Sequence, residues 1–105
     1  MPPHVYAVAT MDTKGVEIAF VAERIRACGV DVVTVDVGTL DAPVVEPDVS
    51  RQMVAASLSA EKVLGQSDRG AAVTAMSRAL TEFLKTEHTA GRLVGVIGID
   101  RKSVV

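Results

Sequence analysis

The chain is predicted to form a parallel α/β fold, and three observations lead there. Short, continuous, valine-rich apolar runs recur along it: "VYAVAT", "VDVVTVDVG" and "LVGVIGI". Such runs suit strands covered on both faces, as parallel sheets require. Segments with the 3.6-residue period of amphipathic helices lie between them. Glycines and prolines fall where one period gives way to the other. Together these give a three-stranded parallel sheet of order 2-1-3, half of a doubly wound, nucleotide-binding-like domain.

The first strand is placed at Val5 to Thr10. A helix opening at Lys14 and Gly15 follows, with Ile18, Val21, Ala22 and Ile25 on one stripe, Glu23, Arg24 and Arg26 elsewhere, and Gly29 as its stop. Val30 to Gly38 forms the second strand, which completes a βαβ unit with a right-handed crossover. "GTLDAPVVEPDVS" has no period and reads as a loop, whose Ser50 caps a short helix through "RQMVAASL". "SAEKVLGQ" carries no decisive pattern. The longest helix starts at Ser67 or Asp68 and stops before Gly91, with Val73, Met76, Leu80, Phe83 and Leu84 on its stripe. Leu93 to Ile99 is the third strand.

Composition narrows the function. At 105 residues, with 49% hydrophobic and 23% charged residues, the sequence is that of one small globular domain or a piece of one. A net charge of -2 gives no electrostatic reason to expect nucleic acid as a partner. No apolar run is long enough to span a membrane. A single cysteine, Cys28, excludes an internal disulfide, and its position at a helix end suits an inert buried thiol. With no secretory signal pattern at the start, a cytoplasmic location is expected. His4 falls in the N-terminal tail and His88 on a last helical turn. Neither joins a spaced metal-ligand set or a Ser/His/Asp arrangement, so no metal site and no catalytic residue is assigned.

Ligands of open α/β sheets sit beyond the carboxyl ends of the strands. Three segments meet there: "TMDTKG" (Thr10 to Gly15), "DVGT" (Asp36 to Thr39) and the end of "GVIGI", with its Gly98. A helix start offers backbone N–H groups to an anion, Gly15 allows close approach and Lys14 adds charge. The hydroxyls of Thr10 and Thr13 are further donors, whereas Asp12 repels phosphate unless a cation bridges the two or the carboxylate faces a sugar hydroxyl. Asp36, 21 residues after Gly15, has the position at which dinucleotide-binding folds hold a ribose. Neither Gly-x-Gly-x-x-Gly nor the Walker loop is present. Plainer readings stay open beside these. "MDTKG" also suits a capped helix start with a solvated lysine, Asp36 a turn former before Gly38, and "DRG" (Asp68 to Gly70) a helix-start carboxylate beside a solvent-facing Arg69.

In order and spacing, "VATMDTKGVEIAF", "VVTVDVGT", "PDVSRQMVA", "SDRGAAVTAMSRAL" and "GRLVGVIGI" resemble the N-terminal domain of the ATP-binding protein family that includes the plant tomato mosaic virus resistance protein, many of whose bacterial members are uncharacterised. The resemblance covers Val5 to Ile99. It implies ATP as cofactor, with or without a divalent cation, bound at the strand ends of a nucleotide-binding α/β domain. It also implies a second, C-terminal domain that this chain lacks. By motif position the nucleotide site carries to Thr10, Asp12, Thr13, Lys14, Gly15, Asp36, Gly38, Arg69 and Gly70.

After Ile99 the resembling family continues with a Gly-Gly-Ser-Gly-Gly-Thr loop suited to cradling phosphates. This chain reads "DRKSVV", which is what a common sequencing adapter encodes. Residues 1–99 are therefore expected to be a partial N-terminal domain and 100–105 a non-native tail. An ATP-binding module is the first functional expectation. Half of an enzyme site for a phosphorylated or carboxylated metabolite, and an interaction protein ordered by nucleotide, are the alternatives. Self-association into a homo-oligomer is expected from the uncovered third strand.

Overall fold

The computed structural model describes residues 3–58, 64 and 68–99, Arg69 by its backbone alone. Its elements run β1 (His4–Ala9), α1 (Met11–Ala27), β2 (Val32–Asp36), α2 (Arg51–Ala55), α3 (Arg69–Thr89) and β3 (Leu93–Ile99). The three strands form one parallel sheet of order β2-β1-β3, as the sequence predicts. "SAEKVLGQ" lies outside the described residues except for Leu64, as do Ser67 and the expected tail, 100–105.

Each face of the central strand seeds one core. Tyr6 and Val8 pack with Val35, Val54, Ala55, Met76 and Ala79 on the side of α2 and α3. Ala7 and Ala9 pack with Met11, Ile18, Ala22 and Val32 on the side of α1. The period-2 alternation of a strand thus sends successive residues of β1 into different layers, which is why its sequence is hydrophobic from Val5 onward.

Helix ends follow local chemistry. Ser50 Oγ accepts from the Met53 amide at 3.2 Å, a cap worth about 1 kcal/mol. Asp68 caps α3 by accepting from the Gly70 amide at 3.3 Å. Gly29 and Gly91 follow α1 and α3 with φ of 86° and 78°, conformations that a side chain disfavours.

Beyond shifts at the ends of β1, β2 and α2, four expectations change. First, α1 opens at Met11 instead of Lys14, and Lys14 is a kink with φ -119° and ψ 20°. The loop after β2 crosses this first turn: the Val44 amide donates to the Met11 carbonyl at 3.0 Å. Second, His4 is strand, not tail; it is buried and stacked on Tyr6 with ring centroids 4.7 Å apart. Third, Cys28 is exposed. Fourth, Val73 is 56% exposed, because the buried stripe of α3 runs through Ala72, Met76 and Ala79.

The amino end of the sheet is fastened by side chains. Tyr6 Oη donates to Glu87 Oε1, and Arg92 grips the same carboxylate through Nε at 2.9 Å and Nη2 at 2.8 Å. This bidentate pairing holds the Glu87 carboxyl at about 2. Burial, and then the Glu87 carboxylate, push the Tyr6 phenol above its ordinary range.

The two outer strands differ. On β2 the Thr34 amide donates to Asp48 Oδ2 (2.9 Å) and the Asp48 amide to Thr34 Oγ1 (3.0 Å). Val49 forms a parallel bridge to Val35, its amide bonded to the Thr34 carbonyl and its carbonyl to the Asp36 amide. Residues 48 and 49 thus cover the outer edge of β2. On β3 the described residues supply no such cover.

Candidate functional site

At the carboxyl end of the sheet, between β1, β3 and α3, lies a cleft of about 430 Å³. Thr10, at the exit of β1, and Gly98, near the end of β3, form its floor together with Val8 and Ile99. Val73, Met76, Ser77 and Leu80 of α3 form one wall, and Val37 and Thr39, just after β2, close another side. Among the described residues the lining is uncharged. Its polar groups are the hydroxyls of Thr10, Thr39 and Ser77 and adjacent backbone.

On the other face of the sheet, at the same end, sits a carboxylate cluster. Asp36 is 1% exposed, and its Oδ1 accepts from the amides of Met11 (3.1 Å) and Gly38 (2.8 Å). Asp12 Oδ2 accepts from the Asp41 amide at 3.2 Å. A Cβ on Gly38 would stand 3.0 Å from Oδ1 of both aspartates. Glycine at 38 leaves room for an oxygen of each carboxylate beside its own backbone.

The cleft brings together Thr10 and Gly98 from the expected set. Thr13 is bonded to Thr10, with Oγ1 atoms 2.9 Å apart, and stands behind it. Lys14 leans on Glu17, Nζ to Oε2 3.8 Å. Gly15 is buried under the loop, where a Cβ would meet Val44 Cγ2 at 2.8 Å, so its small size serves packing here. Asp36 is enclosed, with no surface for a ribose, and bonds its own i+2 amide as a turn former does. Gly70 lies one turn before Val73, outside the lining, and the side chain of Arg69 is not among the described residues.

The helix start differs from the expected anion cradle. The amides of Met11, Thr13 and Lys14 are already bonded, the first to Asp36 and the other two to the Thr10 carbonyl at 3.1 and 2.7 Å. Val37 and Thr39 lie in the "DVGT" segment expected at the site, though neither is assigned a role there, and Ser77 is not expected at all. Ser77 was legible as a hydroxyl four residues after Val73 on a helical stripe otherwise apolar, and Thr39 closes the "DVGT" segment.

Residues 3–100 match the N-terminal domain of the uncharacterised protein family UPF0261. The chain belongs to this family. A UPF0261 protein of Mesorhizobium japonicum is 41% identical over 103 residues, covering 96% of this chain and 26% of the relative. Another, from Rhizobium meliloti, is 39% identical over 103 residues, with the same coverage of each. A UPF0261 protein of Clostridium tetani is 26% identical over 101 residues, 94% of this chain and 25% of the relative. The chain thus spans about a quarter of the length of these family members. No solved structure matches it. Among the described residues, no helix is long and apolar enough to cross a membrane, and no group of three or more His, Cys, Asp or Glu gathers to hold a metal ion.

Proposed function

We propose that this domain binds a nucleotide, with ATP the first candidate, and that the strand-end cleft takes the nucleoside end. The cleft carries the reading. It lies where open α/β sheets bind ligands, and its volume falls in the range of about 300–1,000 Å³ usual for small-molecule sites. Apolar walls from Val37, Val73, Met76 and Leu80 suit the faces of a planar base, and the hydroxyls of Thr10, Thr39 and Ser77 can pair with its edge or the ribose.

The fit to ATP is divided. The uncharged lining among the described residues suits the nucleoside, but none of these side chains neutralises a polyphosphate. In this reading the phosphates pass beside Gly98 and Ile99 toward the segment that follows β3. There the resembling ATP-binding family carries its glycine-rich loop. The first turn of α1 contributes its dipole and the Thr10 hydroxyl, with most of its amides engaged.

Titration calorimetry on a complete family protein tests this, with ATP, adenosine and inorganic triphosphate as separate ligands. ATP and adenosine are expected to bind saturably. Gly98→Val is the diagnostic variant, because a Cβ there meets only the Val8 carbonyl oxygen, at 3.8 Å, and valine suits a strand. It is expected to weaken adenosine binding at least tenfold while leaving the melting temperature unchanged. Equal adenosine affinity in the variant, or binding of triphosphate without adenosine, would place the site elsewhere. Phosphate release from ATP in the same samples would separate an enzyme from a binding module.

A further inference from the structure

We propose that β3 is an interior strand in the complete family proteins. The polypeptide that follows residue 100 in them adds a fourth parallel strand along the free edge of β3, and the crossover helix leading to it packs beside α3 over Val96. This inference is independent of the nucleotide reading.

Composition and burial of β3 disagree. "LVGVIGI" has the continuous apolar character of a doubly covered strand, as β1 has. Yet β1 is buried almost throughout, while Val94, Val96 and Ile97 are 62%, 48% and 38% exposed. Val96 pairs with Tyr6 and so stands on the α3 face, whereas Ile97 pairs with Ala7 on the α1 face. Cover is thus lacking on both faces at once. An edge strand with one wet side would not be apolar on both.

The two edges of the sheet are also treated differently. Residues 48 and 49 blunt the outer edge of β2, the usual way a terminal strand is protected from pairing with another chain. The described residues offer β3 no charge on the strand, no proline and no covering segment.

The occupant follows from length and handedness. About three-quarters of the family members' length lies outside this chain, and the matched region is their N-terminal domain. A parallel crossover needs only about a dozen residues or more. From β2 the chain crosses β1 to β3 with α3 on one face. A right-handed crossover continuing in the same direction lays its helix on that same face, beside α3 and over Val96.

Hydrogen–deuterium exchange on a complete family protein, at low and high protein concentration, tests the proposal. The segment corresponding to residues 93–99 is expected to be as protected as residues 4–9 at both concentrations. Rapid exchange of 93–99 at both would overturn it by showing an open edge. Protection confined to high concentration would overturn it in favour of a second copy of the protein. Val96→Lys is expected to lower the melting temperature by several degrees, and an unchanged melting temperature would overturn the placement of the helix on the α3 face.

Discussion

The buried carboxylate of Asp36, at the end of β2, accepts the backbone amide of Met11, the first residue of α1, at 3.1 Å. With its second bond, from the Gly38 amide at 2.8 Å, this one side chain fixes the exits of two neighbouring strands relative to each other. Asp36→Ala leaves two enclosed amides without an acceptor, each a loss of about 1–3 kcal/mol. Urea denaturation is expected to show Asp36→Ala several kcal/mol less stable, with Asp36→Asn, which keeps one acceptor oxygen, closer to the parent. Equal losses in the two variants would mean that charge, not the two hydrogen bonds, is what position 36 supplies.

Two glycines separate packing from propensity. At Gly38 an added Cβ meets two carboxylate oxygens at 3.0 Å, and the Asp36 one is enclosed and already bonded, so Gly38→Ala is expected to cost about 1–3 kcal/mol. At Gly15 an added Cβ meets Val44 Cγ2 at 2.8 Å, in a residue 60% exposed, and the Val45 backbone nitrogen at 3.4 Å, while alanine regains up to about 1 kcal/mol of helix propensity. Gly15→Ala is therefore expected to be the milder change by denaturant midpoint. The reverse ranking would show that the Val44–Val45 loop is rigid.

The Glu87 carboxyl is lowered from 4.5 to about 2, chiefly by its hydrogen bonds from Arg92. A depressed carboxyl stabilises the fold fully above its unfolded value and loses that contribution as pH falls. Stability is thus expected to decline between about pH 5 and pH 2, by up to about 3 kcal/mol from this group, whose side chain is 14% exposed. Thermal melts across that range check it. Glu87→Gln is expected to flatten the decline, and an unchanged slope would assign the acid sensitivity to other carboxylates.

Gly91 and Gly95 both have open space where a Cβ would go. Only Gly91 has a positive φ, 78°. Gly91→Ala is expected to cost about 1 kcal/mol and Gly95→Ala nothing or a slight gain, since alanine restricts the unfolded chain more than glycine does. Comparable melting temperatures for the two would mean that the turn after α3 relaxes.

Strand order and the bounds of β3 were legible because valine-rich runs and helical stripes are local signals. The path of the loop after β2 was not, and that path decides where α1 begins and why Gly15 is small. A helical stripe shows that Val73 and Met76 share a side of α3, but not how far the sheet extends beneath them. Val73 therefore overhangs the cleft while Met76 is buried. An aspartate at a strand end announces a polar task without its direction: Asp36 turns inward, to the face opposite the cleft. Thr10 was readable as a cleft residue because it stands at the carboxyl end of the central strand of a parallel sheet.

Among the described residues, the clamp of Tyr6, Glu87 and Arg92 fastens α3 at the end of the sheet remote from the cleft. Foundation and workplace are thereby divided. On the reading proposed for the cleft, substitutions at Thr39, Ser77 or Gly98 leave the fastened end untouched, so a lineage could change what the cleft accepts without first finding mutations that restore its architecture. In a family spread across several bacterial genera, the amino end is then where sequences should agree, and the carboxyl end where they should record a change of ligand.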